Sequence, residues 1–396
     1  MNGELRGRTP EPGRVVGDAA AALRHLEALG HGEPILLAYH PIARMNPYQA
    51  LLYSRVWEHG LAAVPLFDLA ELDDLVSFAR SAGARLVLHL HWTNKILEAT
   101  PDADAARAAL DRFVATLDRF LAGGGHLAWT VHNVLPHGAT MPALEAALQQ
   151  AIVDRCSVVH VLSANAPAAV AEWFRIPADK VLHVPHPNYI GAYADSISRD
   201  AARWELGLSP DETVYALLGA IKPYKGLAQL LDAFEIVSRR DGGTRRLVVA
   251  GMPSREPGVD EFLERCALHP FISLYPRKIP GEDMQVFVRA ADVVVLPYLR
   301  SLSSGVLMLA LSFGVPVVGP AVGGISEVVT PEIGRTFEPG DEEGLVAALL
   351  AADELRTPAA REAAMRVARN YDPARLSADF ARGVAGRIRA PAPTPV

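Results

Sequence analysis

Residues 214–234 read VYALLGAIKPYKGLAQLLDAF, an apolar run followed by a glycine-bounded turn and then by a helix-length amphipathic segment. Apolar strands that alternate with helices are typical of a parallel sheet covered on both faces. The sequence therefore predicts an α/β fold with two Rossmann-like, doubly wound parallel-sheet domains that face a cleft. Strands are predicted at residues 34–40, 61–66, 85–91, 126–131, 157–162 and 181–184, and again at 214–219, 246–251, 272–275, 292–296 and 315–319.

Length and composition agree with two domains. The chain has 396 residues, more than one hydrophobic core usually serves. We expect an N-terminal domain over residues 1–195, a C-terminal domain over 205–370, and a helix over 371–390 that closes one domain or crosses back to the other. The net charge of -7, without a Lys/Arg block, argues against nucleic acid as a partner. The polar N-terminus predicts a cytoplasmic protein, and contact with a membrane surface stays open.

The turn at residues 219–226 has the composition of an anion site. Gly219 ends the strand, and Lys222 and Lys225 lie three positions apart before a helix. Two cations and the backbone amides of such a turn suit a diphosphate. The alternative is an ordinary solvated turn, and the Walker A order of glycine, lysine and Ser/Thr is absent.

A second candidate anion site follows the strand at 292–296. Ser303, Ser304 and Gly305 precede Val306, which begins a helix that is apolar almost all round and must be buried. Small residues leave the first amides open to a ligand oxygen, although Ser304 can also be a simple N-cap. Further along, Glu327 could accept hydrogen bonds from ribose or sugar hydroxyls, or compensate a helix dipole.

These motifs together carry a family resemblance. The Lys-Gly turn at 219–226, the AADVVVLP segment at 290–297, the glycine-valine segment at 314–318 and the Gly-Gly-x-x-Glu motif at 323–327 occur in this order. The order resembles the C-terminal domain of the large retaining, group 1 type family of bacterial glycosyltransferases with the GT-B fold. The resemblance implies that residues 1–195 form the acceptor domain and 205–370 the donor domain, where Lys225 and a nearby cation bind the donor diphosphate. Peripheral membrane contact stays open if the acceptor is lipid-linked. Lys222 is the candidate for the second cation, because the family's usual arginine falls at Ala220.

The chain departs from that family at a paired-glutamate motif. The two positions, eight residues apart, hold Ser301 and Leu309 here. In the family, the first glutamate lies against the reacting sugar and the second holds the donor ribose. The sequence therefore predicts that these tasks are reassigned, lost or performed differently, with Ser301 left at the catalytic position.

In the N-terminal half, polar residues follow three predicted strands. His132 lies in a Thr-x-His segment that resembles the family's histidine directed at the donor sugar, and it is predicted to be catalytic. The side chains predicted to bind the acceptor are those of Arg44, Asn46, His91 and Trp92. The alternatives are structural histidines, an exposed loop arginine and an Asn N-cap.

The predicted function is metal-independent sugar transfer from a nucleotide diphosphate sugar to an acceptor hydroxyl in carbohydrate biosynthesis. No cofactor is expected, because the nucleotide sugar is a co-substrate. No metal site is predicted: Asp102 and Asp104 spell Asp-x-Asp but stand at a helix start, where capping is favoured. The alternatives are a catalytically silent GT-B partner that activates another transferase, motivated by the missing glutamates, and a nucleotide-sugar epimerase.

Overall fold

The computed structural model describes residues 14–43, 46–98, 100–136, 138–240 and 243–390. Within these ranges, twelve strands form two six-stranded parallel sheets. The strands of the first sheet are β1 (Ile35–His40), β2 (Leu61–Pro65), β3 (Arg85–Leu90), β4 (His126–Val131), β5 (Val158–Val161) and β6 (Val181–His183). Those of the second are β7 (Thr213–Leu218), β8 (Arg245–Ala250), β9 (Ile272–Tyr275), β10 (Val293–Val295), β11 (Val317–Pro320) and β12 (Gly334–Phe337).

Helices connect the strands as the alternating pattern predicts. In the first half they are α1 (Arg14–Ala28), α2 (Tyr48–Leu52), α3 (Leu72–Ser81), α4 (Ala103–Ala122), α5 (Pro142–Arg155) and α6 (Ala166–Ala169). In the second half they are α7 (Arg199–Glu205), α8 (Leu227–Arg240), α9 (Val259–Leu268), α10 (Met284–Ala290), α11 (Gly305–Ser312), α12 (Gly323–Val328), α13 (Glu342–Ala351), α14 (Pro358–Arg369) and α15 (Pro373–Arg389). No helix among the described residues combines the length and apolar character that a membrane span needs.

The strand order defines a switch point in each sheet. There, the connections that leave two neighbouring strands run toward opposite edges of the sheet. The first sheet has the order β2-β1-β3-β4-β5-β6, and the second has the order β12-β11-β10-β7-β8-β9. The switch points therefore fall between β1 and β3 and between β7 and β10. Ligands of open parallel sheets bind beyond the carboxyl ends of the strands at such points. The two predicted anion turns follow β7 and β10, and both lie at the switch point of the second sheet.

The chain divides into two compact units. The first contains residues 1–161, 171–184 and 374–396, and the second contains 162–170 and 185–373. Each sheet lies within one unit, and α15 packs in the first. Its residues Gly383 and Arg387 contact β6, where the Arg387 guanidinium donates a hydrogen bond to the Val181 carbonyl at 2.6 Å.

The fold class agrees with the prediction, and two local features differ from what the sequence pattern favours. The pattern favours one helical stretch over residues 48–59, but α2 ends at Leu52 and a separate 3₁₀ turn covers Val56–His59. The edge strand β12 was not predicted, because its four residues GRTF lack an apolar pattern and its pairing with β11 is long-range. The thiols of Cys156 and Cys266 are free and buried.

Candidate functional site

The turn after β7 buries one of its two lysines. Gly219 has the left-handed φ of +85° and starts the turn that returns to α8. The Lys225 side chain is 4% exposed, and its Nζ donates a hydrogen bond to the Leu218 carbonyl at 3.0 Å. Burial, with the nearby Lys222 as a second cause, lowers the pKa of Lys225 to about 8. An approaching anion stabilises the charged form of a lysine that is this poorly solvated.

Lys222 lies at the rim of the same turn. Its Nζ is 3.4 Å from the Glu256 Oε1, and its side chain remains 35% exposed. An ion pair this exposed is weak. Lys222 is therefore available to a stronger anion, and its charge is the second cause, after burial, that lowers the pKa of Lys225.

The second turn, between β10 and α11, presents a helix start. The Ser304 hydroxyl accepts a hydrogen bond from the Leu307 amide at 3.1 Å, so the N-cap alternative for Ser304 is confirmed. Gly305 and Val306 are the first two residues of α11, and their amides precede the capped amide of Leu307. The α11 helix is buried from Leu307 to Ser312, as its all-round apolar sequence predicts.

The two turns adjoin one another. A Cβ atom placed on Gly219 would lie 3.3 Å from the Lys225 Nζ and 3.6 Å from the Val306 Cγ2. Gly226 is pressed against the carbonyl of Pro297, the second residue after β10, so that a Cβ there would overlap the oxygen. Lys225 and the start of α11 thus flank the same glycine at the switch point. The structure brings together Gly219, Lys222, Lys225, Ser304, Gly305 and Val306.

Ser301 and Ser303 belong to the loop that leads into α11. The Ser301 hydroxyl donates a hydrogen bond to the Ser303 carbonyl at 3.0 Å. Gly323, with a φ of +51°, approaches the Ser301 carbonyl so closely that no Cβ fits between them. The loop is therefore held against α12, and the Ser301 side chain contacts its own loop. Leu309, at the second family glutamate position, is 5% exposed in the core.

Glu327 has protein partners for both carboxylate oxygens, which revises the ribose contact expected of it. Its Oε1 accepts hydrogen bonds from the Ser163 hydroxyl at 2.8 Å and the Asn165 amide at 3.0 Å. Its Oε2 accepts one from the Ala164 amide at 3.2 Å. Glu327 thus holds the segment before α6 within the second unit. These amides precede α6, and Glu327 stands in the last turn of α12 and not in its first, so dipole compensation within α12 does not describe it either.

Two residues that sequence reasoning missed stand at the start of α11. A Cβ atom on Gly305 would lie 3.1 Å from the Tyr189 hydroxyl and 3.4 Å from the His186 Nε2. The His186 Nδ1 donates to the Pro187 carbonyl at 2.8 Å, which makes Nε2 the acceptor nitrogen. Burial lowers the pKa of His186 to about 4. The only sequence signal is the polar HPNY run at 186–189 after the last predicted strand of the first half.

In the first unit, His132 and Trp92 lie together beyond the carboxyl ends of β4 and β3. Their rings stack with centroids 4.3 Å apart and an angle of 14° between planes. The Asn46 Oδ1 accepts a hydrogen bond from the Tyr48 amide at 2.9 Å, but the N-cap of α2 is Pro47, so Asn46 stands one residue before the N-cap position expected for it. Arg44 lies outside the described residues.

His91 does not have the surroundings expected of an acceptor ligand. It is 1% exposed, its Nε2 lies 2.6 Å from the Tyr53 hydroxyl, and its Nδ1 lies 3.1 Å from the His132 Nε2. Both ring nitrogens are therefore bonded within the protein. We revise its predicted role from contact with the acceptor to support of His132.

No group of three or more His, Cys, Asp or Glu side chains suited to a metal ion occurs among the described residues. The Asp102 carboxylate accepts a hydrogen bond from the Ala105 amide at 2.8 Å and caps α4. The Asp-x-Asp sequence is thus a helix start, as the capping interpretation holds.

Known proteins resemble this chain in both sequence and fold. Residues 212–352 match the model of the family described as glycosyl transferases group 1. The D-inositol 3-phosphate glycosyltransferase of Segniliparus rotundus is 31% identical over 47% of this chain and 42% of its own length. The chain thus matches less than half of that relative. The GDP-mannose:glycolipid 4-beta-D-mannosyltransferase of Xanthomonas campestris is 28% identical over 71% of both chains.

Solved structures share the fold at low sequence identity. Sucrose-phosphate synthase from Thermosynechococcus elongatus superposes with a TM-score of 0.66 at 15% identity, covering 89% of this chain and 98% of its own. Anabaena HepE in complex with UDP gives a TM-score of 0.65 at 14% identity, over 89% and 100% of the two chains. The chain has the GT-B fold. Its second unit carries a group 1 glycosyltransferase domain, which confirms the resemblance seen in the sequence.

Proposed function

We propose that the protein transfers a sugar from a nucleotide diphosphate sugar to an acceptor hydroxyl. One observation carries this proposal: Lys225 and the first residues of α11 flank Gly219 at the switch point of the second sheet. A buried cation and free helix-start amides on two sides of one small residue suit a diphosphate. The match to the group 1 family over these same turns supports the assignment.

The same groups would assist the departure of the nucleotide. As the bond between the sugar and the diphosphate breaks, negative charge grows on the leaving oxygen. Lys225, Lys222 and the amides near Val306 are already oriented, so they stabilise that charge without reorganisation. Because these cations can neutralise the leaving group, we propose that the reaction does not require a divalent metal ion.

Donor orientation must differ from that of a family member with both glutamates. Leu309 offers no polar atom, and the Ser301 hydroxyl is engaged with the Ser303 carbonyl. Glu327 is bonded to the segment before α6. The ribose is therefore held less strongly than the diphosphate, and we place the main share of donor affinity on the phosphates.

The names of relatives indicate which donors to test first. The Xanthomonas campestris relative is named for GDP-mannose, and Anabaena HepE was solved with UDP-glucose. A panel of UDP- and GDP-sugars is screened by thermal shift, since a ligand of the native state raises its apparent stability. Each stabilising donor is then incubated with inositol phosphate, lipid-linked and simple sugar acceptors.

Three outcomes separate the proposal from its alternatives. Donor-dependent product on an acceptor supports transfer. An altered sugar nucleotide formed without any acceptor identifies an epimerase. Absence of turnover, together with binding to another transferase, identifies a catalytically silent partner. Loss of activity in EDTA that magnesium or manganese restores would contradict the metal-independent mechanism.

A further inference from the structure

A continuous chain of buried hydrogen bonds crosses the first sheet and ends at His132. The His160 Nε2 lies 2.8 Å from the Val184 carbonyl oxygen, and its Nδ1 lies 2.9 Å from the Thr130 hydroxyl. The Thr130 hydroxyl in turn lies 2.8 Å from the His89 Nε2. These residues stand on three adjacent strands, β5, β4 and β3, and are fully buried.

The chain continues through a tyrosine. The Tyr53 hydroxyl lies 2.7 Å from the His89 Nδ1 and 2.6 Å from the His91 Nε2. The His91 Nδ1 then lies 3.1 Å from the His132 Nε2. We call this set of side chains the tautomer chain; its members, in order, are His160, Thr130, His89, Tyr53 and His91.

The direction of every bond follows from the fixed end. A carbonyl oxygen only accepts, so the His160 Nε2 carries a proton, and in the neutral form of the His160 ring Nδ1 then accepts from the Thr130 hydroxyl. That hydroxyl must then accept from the His89 Nε2–H, which leaves the His89 Nδ1 to accept from the Tyr53 O–H. The Tyr53 oxygen accepts from the His91 Nε2–H, and the His91 Nδ1 is left as an acceptor.

This direction requires the internal histidines to be neutral. Burial holds the pKa of His89 well below its ordinary value, with His160 and His132 as further causes. Burial likewise lowers the pKa of His91, with its neighbouring imidazoles adding to the effect. A neutral imidazole has one donor and one acceptor nitrogen, so a ring that donates at one nitrogen must accept at the other.

We propose that the tautomer chain fixes His132 in its Nε2–H tautomer, so that Nδ1 is its proton-accepting nitrogen. The members of the chain are positioning residues, because they act through His132. The carbonyl at the far end cannot take up a proton, and the chain therefore sets a tautomer instead of conducting protons away. The inference about the tautomer stands on geometry, whereas its kinetic consequence rests on the proposed function.

Ring stacking and hydrogen bonding constrain different features of His132. Trp92 stacks on the ring, and Tyr48 meets it edge-on with centroids 5.4 Å apart. These contacts fix the ring plane but do not distinguish the two nitrogens. On the other side of the chain, Phe380 of α15 packs 5.1 Å from the His89 ring and 5.2 Å from the His160 ring. This apolar ring helps to exclude water, which would otherwise offer each histidine a second set of partners.

Tyr53→Phe tests the proposal with almost no change of shape. The substitution removes the hydroxyl that joins His89 to His91, so that His91 can reverse its tautomer and donate to His132 from Nδ1. Tyr39→Phe is the matched control, because the Tyr39 ring packs 4.7 Å from that of Tyr53 and its hydroxyl lies outside the chain. Ring-¹⁵N NMR of histidine reads the tautomer directly, with His132→Gln identifying the signal.

We expect the native protein and Tyr39→Phe to show a pure Nε2–H pattern at His132, and Tyr53→Phe to show a mixture of tautomers. A second pair covers the case in which Tyr53→Phe does not fold: Thr130→Val should disturb the pattern, and Thr130→Ser should restore it. An Nδ1–H pattern in the native protein, or an unchanged pattern in Tyr53→Phe and Thr130→Val, would overturn the proposal.

Steady-state kinetics provides a second test of the proposal. If the protein is a transferase, Tyr53→Phe should lower kcat about 10-fold, at the low end of the usual effect of a positioned acid–base group, with KM for the donor nearly unchanged. A KM effect with unchanged kcat would contradict the link to turnover. A native protein without turnover would count against the proposed function alone, because the NMR result still decides the tautomer.

Discussion

The Lys225 Nζ lies 3.3 Å from the position that a Cβ atom would take at Gly219. Gly219 therefore permits the left-handed turn and leaves space around the buried ammonium group of Lys225. We expect Gly219→Ala to weaken the binding of UDP or GDP at least 10-fold, equivalent to about 1.4 kcal/mol. Isothermal titration calorimetry measures the affinity, and thermal unfolding measures the accompanying loss of stability.

Gly340→Ala is the matched control for this variant. Gly340 has a φ of +83°, close to the +85° of Gly219, but no atom lies within 4 Å of its missing Cβ. Both substitutions carry a backbone strain of about 1–2 kcal/mol, yet only Gly219→Ala crowds Lys225. Equal nucleotide affinity in the two variants would remove Gly219 from the site.

Proton uptake on nucleotide binding reports the state of Lys225. Its pKa is lowered to about 8, first by burial and then by Lys222. A bound diphosphate favours the charged form and raises this pKa. Binding should therefore take up a proton at pH 8 to 9 and almost none below pH 7, and affinity should fall as the pH rises above 8. Calorimetry in two buffers of different ionisation enthalpy measures the uptake.

Two substitutions check that the proton belongs to Lys225. Lys225→Met should abolish the uptake and weaken binding by the ~1.5–3 kcal/mol of a charge-assisted hydrogen bond. Lys222→Met removes a neighbouring positive charge, so it should move the uptake to higher pH. If the binding enthalpy at pH 8.5 is the same in both buffers for the native protein, Lys225 does not protonate on binding.

Asp292 is the centre of a buried ion cluster in the second unit. Its Oδ2 lies 2.6 Å from the Arg203 Nη2, and its Oδ1 lies 2.6 Å from the Arg199 Nη2. Burial would raise the pKa of Asp292, but the Val214 amide and these guanidinium groups together lower it. We expect Asp292→Asn to reduce the free energy of unfolding by about 3–5 kcal/mol, because it leaves buried charges without their partner.

Asp195→Asn is the matched control. Asp195 also pairs with an arginine at 2.6 Å, Arg289, but it is 37% exposed, so its loss should cost less than about 1 kcal/mol. The lowered pKa of Asp292 fixes the sign of the pH effect. Its contribution is present above the unfolded pKa near ~4 and is lost as the pH falls through the lower native value. Urea unfolding at pH 7 and pH 3 should show a smaller loss of stability on acidification in Asp292→Asn than in the native protein. Similar losses in both variants at pH 7 would show that the buried cluster stabilises the fold no more than the exposed pair does.

The sequence could predict the anion turns because their signal is local. A strand, a glycine turn and a helix follow one another within residues 214–234, and parallel strands bring their carboxyl ends to one edge. Lys225 and Ser304 could be assigned to that edge for this reason. The burial of Lys225 and its contact with Gly219 depend on packing between separate segments, which the local pattern does not contain.

Long-range partners account for what sequence reasoning missed. Glu327 is bonded to Ser163, 164 residues earlier, and no motif connects the two. His91 looked like a ligand because it follows a strand, yet the Tyr53 hydroxyl from another element occupies its Nε2. A polar residue at a strand end is equally compatible with a ligand contact and with a buried network, and only its partners distinguish the two.

The Glu327 carboxylate has two interpretations, as a ligand of the ribose and as the group that holds the segment before α6, and they predict different results. It accepts hydrogen bonds from Ser163, Ala164 and Asn165, so Glu327→Ala should release that segment and lower turnover at least ~10-fold, about 1.4 kcal/mol of barrier. Ser163→Ala removes one of these bonds and should have a smaller effect. Steady-state kinetics of both variants with the identified donor measures the difference.

Deoxyribose analogues of the nucleotide decide between the interpretations. If Glu327 holds the segment before α6, removing the ribose 2′-hydroxyl should weaken binding by the same factor in the native protein and in Glu327→Ala, because the two changes are independent. If the carboxylate binds the ribose, as the sequence alone predicted, the penalty for the missing hydroxyl should disappear in Glu327→Ala. The three hydrogen bonds within the protein leave the carboxylate little capacity for a ribose, so we expect equal factors.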